Sequence, residues 1–483
     1  ELGNTQAAGA YVAYPQKGLH DWIGSIDINS LYPSAIRALN MGNETIVGQL
    51  RPDYTDRHVK DSMDAKKSFA DSWEGMFGSI EYELVMAQDI EKEIVLEWEN
   101  GSHDIMSGKE IYKLIFLSKK PWMLSANGTI FNSQIEGVVP GLLARWYRER
   151  QDIQKVKASA TTPEEKQFWD KRQLVKKINL NSLYGAILNP GCRFFDKRIG
   201  QSTTLCGRAI AKHMDAYINE CLTGEYDHRG ETIIYGDTDS AYFSAWPVLK
   251  ERVEKGELEW NKDTCTALYD SISDKVNESF PGFMKKAFNA PRENGEIIVG
   301  GREVCATKGL FITKKRYALL IYDNEGYRTD KDGPGKIKAM GLDLKRSDTP
   351  KIVQDFLSNI LTGVLTGDDR DTALEKVKLF KEEFMQKQGW EKGSPRRANN
   401  MTKFQALEQR QGRANMPGHV RASMNWNRLR KMNSDRYSTE IKDGHKVIVC
   451  KMKANPLGYT SVAYPVDEPH LPQWFKELPF DEE

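Results

Sequence analysis

The spacing of apolar and polar residues changes character several times along this chain. Residues 22–28, WIGSIDI, are apolar and β-branched enough for a buried strand, and LYPSAIRALN after them predicts a helix. Pro33 suits its first turn, where a missing N–H costs nothing. MFGSIEYELVM at 76–86 and IYKLIFL at 111–117 predict further strands. Residues 140–158 predict a helix rich in Arg and Gln, broken at SATTP. Thr162, Pro163 and Glu165 then offer an N-cap, a first-turn proline and a capping-box acid for a second helix. That helix runs to about Leu188, where Asn189-Pro190-Gly191 stops it, so the pair forms a helical hairpin reversing near residue 160.

A helix from about Gly207 to Leu222 follows. TIIYG and SAYFSAW then flank Asp237-Thr238-Asp239 as two strands of a β-hairpin, and KRYALLIY at 315–322 adds another strand. Beyond about Ser347 the texture changes: PKIVQDFLSNILTGVL and DTALEKVKLFKEEFMQKQG predict amphipathic helices, and 392–453 is basic and mostly irregular. A domain boundary is expected near residue 345. The predicted mixture of strands and helices is α+β.

Composition narrows the possibilities. The 483 residues suggest about three domains. No apolar run approaches the ~18 residues of a membrane span, and the first fifteen residues lack the basic and apolar regions of a signal peptide. Six scattered cysteines without a C-x-x-C pair argue against a zinc ribbon or a disulfide scaffold and for a reducing, cytoplasmic compartment. The 69 Lys+Arg balance 68 Asp+Glu, which excludes a uniformly basic coat protein. The balance is uneven, however. Residues 145–200 hold 13 basic and 6 acidic residues and 392–453 hold 15 and 4, so the rest of the chain carries −17. These segments are either solvated helix faces or phosphate-binding surfaces.

Carboxylates fall where strands are predicted to end: Asp27 in S-I-D-I-N-S-L-Y-P-S, and Asp237 and Asp239 in Y-G-D-T-D-S. Strand-tip carboxylates of one sheet can converge on two Mg²⁺ ions, a site suited to phosphoryl transfer. Alone, Asp-Thr-Asp is also an ordinary turn, or the DxD pattern of a nucleotide-sugar transferase.

Three segments in order change this picture. S-L-Y-P after Asp27, K-x-x-x-N-S-L-Y-G at 177–185 and Y-G-D-T-D-S at 235–240 resemble the polymerase motifs A, B and C of family B DNA polymerases. Lys314-Lys315-Arg316-Tyr317, G-L-D-L-K-R-S-D-T-P at 341–350 and Gly9-Ala10-Tyr11 resemble further segments of that family. N-S-L-Y-G-A-I-L-N-P-G-C-R-F-F-D is most similar to the replicative polymerases of T-even-type tailed phages. The resemblance covers most of the chain. It implies a right-hand fold: a palm over 1–138 and 206–345 with a mixed or antiparallel sheet, helical-hairpin fingers over 139–205, and a largely helical thumb over 346–483. The implied activity is template-directed addition of dNTPs to a primer 3′-OH by a two-metal mechanism. A catalytically silent, DNA-binding subunit of the same fold is an alternative. A DxD transferase leaves the basic helix with Lys177 and Asn181 unexplained.

By resemblance, Asp27 and Asp239 hold the metal ions, with the main-chain carbonyl of Ile28 as a further ligand; Asp237 is either a third metal contact or a turn residue. Tyr32 matches the family's steric gate, where a ring against C2′ excludes a ribonucleotide's 2′-hydroxyl; an ordinary core tyrosine is the alternative. Ser30 and Leu31 offer backbone N–H groups at a helix start to a triphosphate. Lys177, Asn181 and Tyr184 are spaced to share one helix face. Lys177 would neutralise or protonate the leaving pyrophosphate, and Tyr184 and Gly185 would pack beside the nascent base pair. Arg150 fits the first triphosphate contact of the other hairpin helix. The family's lysine one turn on is replaced by Gln154, with Lys155 adjacent, which leaves the second contact open between them. Lys314, Lys315, Arg316, Tyr317 and Arg346 would follow the primer-template, and Arg396, Arg397, Arg421 and Arg428 are candidate phosphate contacts.

The partners implied are primer-template DNA and dNTPs. With 26 residues before Asp27, a 3′→5′ exonuclease is expected on a separate N-terminal polypeptide or on a missing part of a longer chain, so this chain should polymerise without proofreading. The phage relatives reach a sliding clamp through a C-terminal peptide beyond the point matching Glu483, which leaves that contact open here. DNA binding is expected to weaken steeply with salt despite the neutral sum.

Overall fold

Branched and aromatic residues pack 22–28 into the end of an eleven-residue strand, β1 (Gly18–Ile28), in which Ile23, Ile26 and Ile28 are fully buried. Gly24 and Ser25 between them are buried too, as befits a strand covered on both faces. The computed structural model describes residues 11–52, 93–412 and 414–482. The chain divides into two compact units, one of 1–314 with 321–336 and the other of 315–320 with 337–483.

In the first unit β1 is followed by β2 (Ile46–Pro52), β3 (Glu93–Trp98), β4 (His103–Ser107), β5 (Trp122–Leu124), β6 (Thr129–Asn132), β7 (Ile233–Asp237), β8 (Ser240–Ser244) and β9 (Gly300–Thr313). β10 (Arg316–Asn324) and β11 (Tyr327–Arg328) continue from β9, giving the sheet order β11-β10-β9-β1-β8-β7. The pairings of β1 with β8 and with β9 are antiparallel. A second, five-stranded sheet runs β4-β3-β2-β6-β5.

The helices of this unit include α1 (Leu31–Ala38), α2 (Val138–Ser159), α3 (Pro163–Ile187), α4 (Lys197–Thr223) and α5 (Lys262–Phe288), beside a nine-residue helix over Trp246–Glu254 and shorter turns. α2 and α3 form the expected hairpin. Its rungs are Arg150 to Gln173 at 3.2 Å, Lys157 to Asp170 at 2.5 Å, and Lys176 to Glu149. Partner numbers rise on one helix as they fall on the other, so the two run antiparallel. Thr162 caps α3 through the N–H of Glu165 (3.2 Å), but the Glu165 carboxylate accepts from the N–H of Thr161.

Three expectations are corrected. Residues 111–117 are helical, not a strand: a helix spans Gly108–Tyr112 and a π-helical turn spans Lys113–Leu117. The side chains of Ser107 and Glu110 cap each other's N–H groups, and the buried residues Ile111 and Ile115 follow a helical period. α4 begins at Lys197, ten residues before Gly207. Its first turns, rich in Ser, Thr and Gly, have weak helix propensity, but Asp196 caps them and the core buries them. The strand expected at 76–86 lies outside the described residues.

The third correction concerns the second unit, where 392–453 is mostly regular. β12 (Lys336–Met340) leads to α6 (Lys351–Thr366) and α7 (Arg370–Met385). β13 (Ser394–Arg397), α8 (Met401–Gln411), α9 (Gly418–Met432), β14 (Lys446–Lys451) and β15 (Ser461–Pro465) follow, with a three-stranded sheet ordered β13-β14-β15. Its core holds Trp426, Val420, Leu429, Val447, Val462 and Phe475. A few large apolar residues spaced among charges suffice to order this segment. The class is α+β, as predicted. No helix among the described residues is long and apolar enough to cross a membrane.

Candidate active site

Antiparallel pairing brings the predicted strand-tip carboxylates together. Asp27, the penultimate residue of β1, stands opposite Ser240, the first residue of β8, and Asp239 directly precedes that strand. The N–H of Ile28 donates to the carbonyl oxygen of Asp239 (2.7 Å), and the N–H of Asn29 donates to that of Val299 (2.9 Å). The hairpin turns on Thr238, whose φ of 58° is left-handed. Its N–H donates to the carbonyl of Tyr11 (2.7 Å), while Ala13 donates to Gly236 (3.0 Å) and Val12 bridges Asp237. The segment 11–13 thus braces the free edge of β7; Gly9 and Ala10 lie outside the described residues. Ser30 is also left-handed, at φ 49°. Two non-glycine residues in that region, each close in sequence to a carboxylate, are strained positions of the kind found at functional sites.

Burial raises the pKa of the Asp239 carboxyl above its ordinary value. The charges of Asp237 and Glu303 push the same way, and hydrogen bonding with the Asp27 side chain opposes them. Two carboxyl groups in contact and partly desolvated resist ionising together, and a bound cation relieves that conflict. All the donors are hard oxygens, which suits Mg²⁺. Among the described residues no three His, Cys, Asp or Glu side chains cluster closely enough to hold an ion. A cation here would rest on Asp27, Asp239 and backbone or ligand oxygens. The carbonyl of Ile28 is adjacent in the chain.

Tyr32 is half-buried in the first turn of α1, and burial pushes its hydroxyl pKa up. Its ring lies against that of Tyr184 on α3, with centroids 4.5 Å apart and planes inclined by 30°. The Tyr184 hydroxyl hydrogen-bonds to Thr204 of α4, whose own hydroxyl donates to the carbonyl of Gly200 (3.1 Å). Three elements therefore meet around the Tyr32 ring. α1 begins just after Ser30, so the N–H groups of Ser30 and Leu31 stand at its start, where no intrahelical acceptor is available.

On α3, Lys177, Asn181 and Gly185 are exposed, and a side chain at Gly185 would meet open space. Arg150 bonds Gln173 across the hairpin, Gln154 is exposed, and Lys155 pairs with Asp152 at 3.6 Å. Lys314 follows β9 with its ammonium over the Tyr14 ring (4.1 Å), and Lys315 turns the chain at φ 60°. In the second unit Arg316 donates to the carbonyl of Gly341 (3.1 Å), Tyr317 is buried, and Arg346 pairs with Asp348 at 2.9 Å. Arg428 pairs with Glu408 (2.8 Å), whereas Arg396, Arg397 and Arg421 donate to backbone carbonyls.

Sequence reasoning missed Glu303, whose charge reaches Asp239, and it missed Thr204 and Gly207. Nothing local marks Glu303. A glycine inside a helical pattern was the available signal for Gly207.

Comparison with known proteins agrees with this geometry. The chain is 26% identical to the DNA-directed DNA polymerase of Escherichia phage RB69 and 25% identical to that of Enterobacteria phage T4. Each alignment covers 95% of this chain and 51% of the phage protein. DNA polymerase 1 of Pyrococcus abyssi is 24% identical over 77% of this chain and 34% of its own length. The chain thus spans about half the length of the phage relatives it matches. The family model of DNA polymerase family B matches residues 2–253, which is more than half of the chain. Carboxylates meeting at the tips of β1 and β8, in a chain matched in this way, lead to one assignment: this protein belongs to DNA polymerase family B.

Proposed function

We propose that this chain carries the polymerising centre of a DNA polymerase, adding dNTPs to a primer 3′-OH under the direction of a template. The observation that carries the reading is the meeting of Asp27 and Asp239 at adjoining strand ends, beside the packed rings of Tyr32 and Tyr184, in a member of this family. In right-hand terms 1–138 and 206–345 would form the palm, 139–205 the fingers and 346–483 the thumb. The cross-bonded hairpin of α2 and α3 supports the fingers assignment.

Asp27 and Asp239, with the carbonyl of Ile28, would hold Mg²⁺. When bound, the two ions supply charge neutralisation at the entering and leaving oxygens of phosphoryl transfer. The chain's own groups do the rest. Asp27 and Asp239 present paired negative charge from rigid strand ends. Tyr32 excludes a 2′-hydroxyl by occupying its space, and Tyr184 and Gly185 bound the position of the nascent base pair. Arg150, Lys177 and Asn181 face the triphosphate from the fingers, with Lys177 placed to offset or protonate the departing pyrophosphate. The N–H groups of Ser30 and Leu31 orient phosphate oxygens. Lys314, Lys315, Arg316, Tyr317 and Arg346 would contact the primer-template, largely at its phosphates.

Primer extension with Mg²⁺ and dNTPs tests the reading. Extension by the parent chain, lost in Asp27→Ala and Asp239→Ala while both variants still bind primer-template, supports it. A folded parent that binds DNA without extending it would instead identify a silent subunit.

A further inference from the structure

We infer that Gly207 is a positioning residue for sugar selection: its missing side chain is what lets the Tyr32 ring lie where it does. The inference rests on the reading of Tyr32 as the ring that faces the sugar.

Gly207 occupies the interior of α4, where nothing in the backbone calls for glycine. Its φ is not among the positive ones, and glycine is disfavoured there relative to alanine. What calls for it is space. A Cβ at 207 would stand 2.8 Å from Cε1 and 3.1 Å from Cδ1 of Tyr32, and 3.5 Å from Cδ2 of Leu31. The first two atoms form one edge of an aromatic ring, which cannot give way at a single flexible end. The ring's retreat is also restricted. Tyr184 packs on it at 4.5 Å and is held by its hydroxyl to Thr204, one turn before Gly207 on the same helix. α4 therefore sets both rings, tying one with a hydroxyl and admitting the other with bare backbone. Gly200 of the same helix differs, because a Cβ there would meet only the end of the Leu188 side chain.

A methyl at 207 must turn or displace the Tyr32 ring, and a steric filter depends on where its wall stands. The ordinary alternative is a glycine kept only for close packing of α1 on α4. Changing such a residue would alter stability and overall activity without altering the preference between sugars.

Single-nucleotide incorporation kinetics with a dNTP and the matching rNTP separate the two. The parent, Gly207→Ala, Tyr32→Ala and the double variant would be compared. The expected result is at least a threefold fall in the dNTP:rNTP ratio of kcat/KM for Gly207→Ala, with no further change when it is added to Tyr32→Ala. A parent-like ratio in active Gly207→Ala, with a relaxed ratio in Tyr32→Ala, overturns the role of Gly207 and leaves the gate reading intact. A parent-like ratio in Tyr32→Ala removes the gate reading and this inference with it. Should Gly207→Ala fail to fold, return of a cooperative melting transition in the double variant supports the clash with the ring, and no return overturns it.

Discussion

The backbone N–H of Ile28 donates to the carbonyl oxygen of Asp239 at 2.7 Å, joining the strand end that bears one carboxylate to the residue that bears the other. That bond uses no side chain, so the meeting of the two strand ends survives neutralisation of either carboxylate. Asp27→Asn and Asp239→Asn are expected to remain folded and to bind primer-template within about threefold of the parent. Each should lower the rate of extension by about 100-fold or more, as loss of several kcal/mol of charge stabilisation implies. Rapid-quench incorporation and a DNA-binding titration would check both halves of this expectation.

Asp239 also predicts a pH effect on stability. Its pKa is raised above 3.8 in the folded state, first by burial, so folding disfavours the ionised form. The group costs little below pH 4, and its cost grows as pH rises through the raised value. In metal-free buffer at pH 7.5, Asp239→Asn should melt above the parent, by roughly 2–4 °C for each kcal/mol relieved. That gain should vanish near pH 4. Mg²⁺ should raise the midpoint of the parent more than that of the variant. Thermal melts across pH, with and without Mg²⁺, measure all of this.

On the proposed reading, Tyr32→Ala opens the space beside C2′. We expect the preference for dNTP over rNTP to fall at least about tenfold, since a hole of this size removes most of a purely steric filter. Incorporation of dNTPs should persist at a measurable rate. Unchanged discrimination in an active variant would make Tyr32 a packing residue.

The two lysines of the α2–α3 hairpin should behave differently. Lys177→Ala is expected to reduce kcat by about 100-fold, the lower end of what a positioned proton donor contributes, with DNA affinity unchanged. Lys155 is exposed and paired with Asp152, so Lys155→Ala should leave the KM for dNTP within about twofold of the parent. Steady-state kinetics on each variant decides the point.

His213 ties α4 to α5. Its Nδ1 meets the Tyr226 hydroxyl at 2.7 Å, its Nε2 meets Ser279 at 2.9 Å, and its ring stacks on Phe283. Burial lowers its pKa to about 4. The unfolded chain takes up this proton below about pH 6.5 and the folded one does not, so stability is lost as pH falls from there to about 4. The loss is of order 3 kcal/mol. His213→Gln should show a smaller loss than the parent over this interval, read as the change in urea midpoint between pH 7 and pH 4.5.

What could be read in advance was whatever local chemistry decides. Asp27 and Asp239 flank apolar strand segments, and only antiparallel pairing was needed to bring them together. Thr162 and Pro163 announce α3 by capping, and the facing helices follow from the break after Ser159. The failures arose where tertiary packing overrides local preference. Ile111 and Ile115 are four apart and buried in a helix, within an apolar run short enough to pass for a strand. The Ser/Thr-rich start of α4 is a poor helix by propensity and a good one once its side chains are buried. The charges around Trp426 concealed two helices whose cohesion comes from few residues. For the candidate site, residue types at strand tips and on one helix face were visible. The reach of Glu303 to Asp239 and the fit of Tyr32 over Gly207 depend on elements distant in sequence, and no spacing rule reports them.

Tyr269, on α5, lies over Gly24 of β1 so closely that a Cβ there would stand 2.8 Å from its Cε2. Its hydroxyl donates to the carbonyl of Trp22 on β1 and accepts from the N–H of Ala245 (3.0 Å), just past the end of β8. The strand that bears Asp27 and the strand that follows Asp239 are thus clasped at their bases as well as at their tips, like the arms of tweezers whose gap is set at the hinge. A substitution at position 24 would touch neither carboxylate and would still bear on that gap, by forcing the Tyr269 ring off β1.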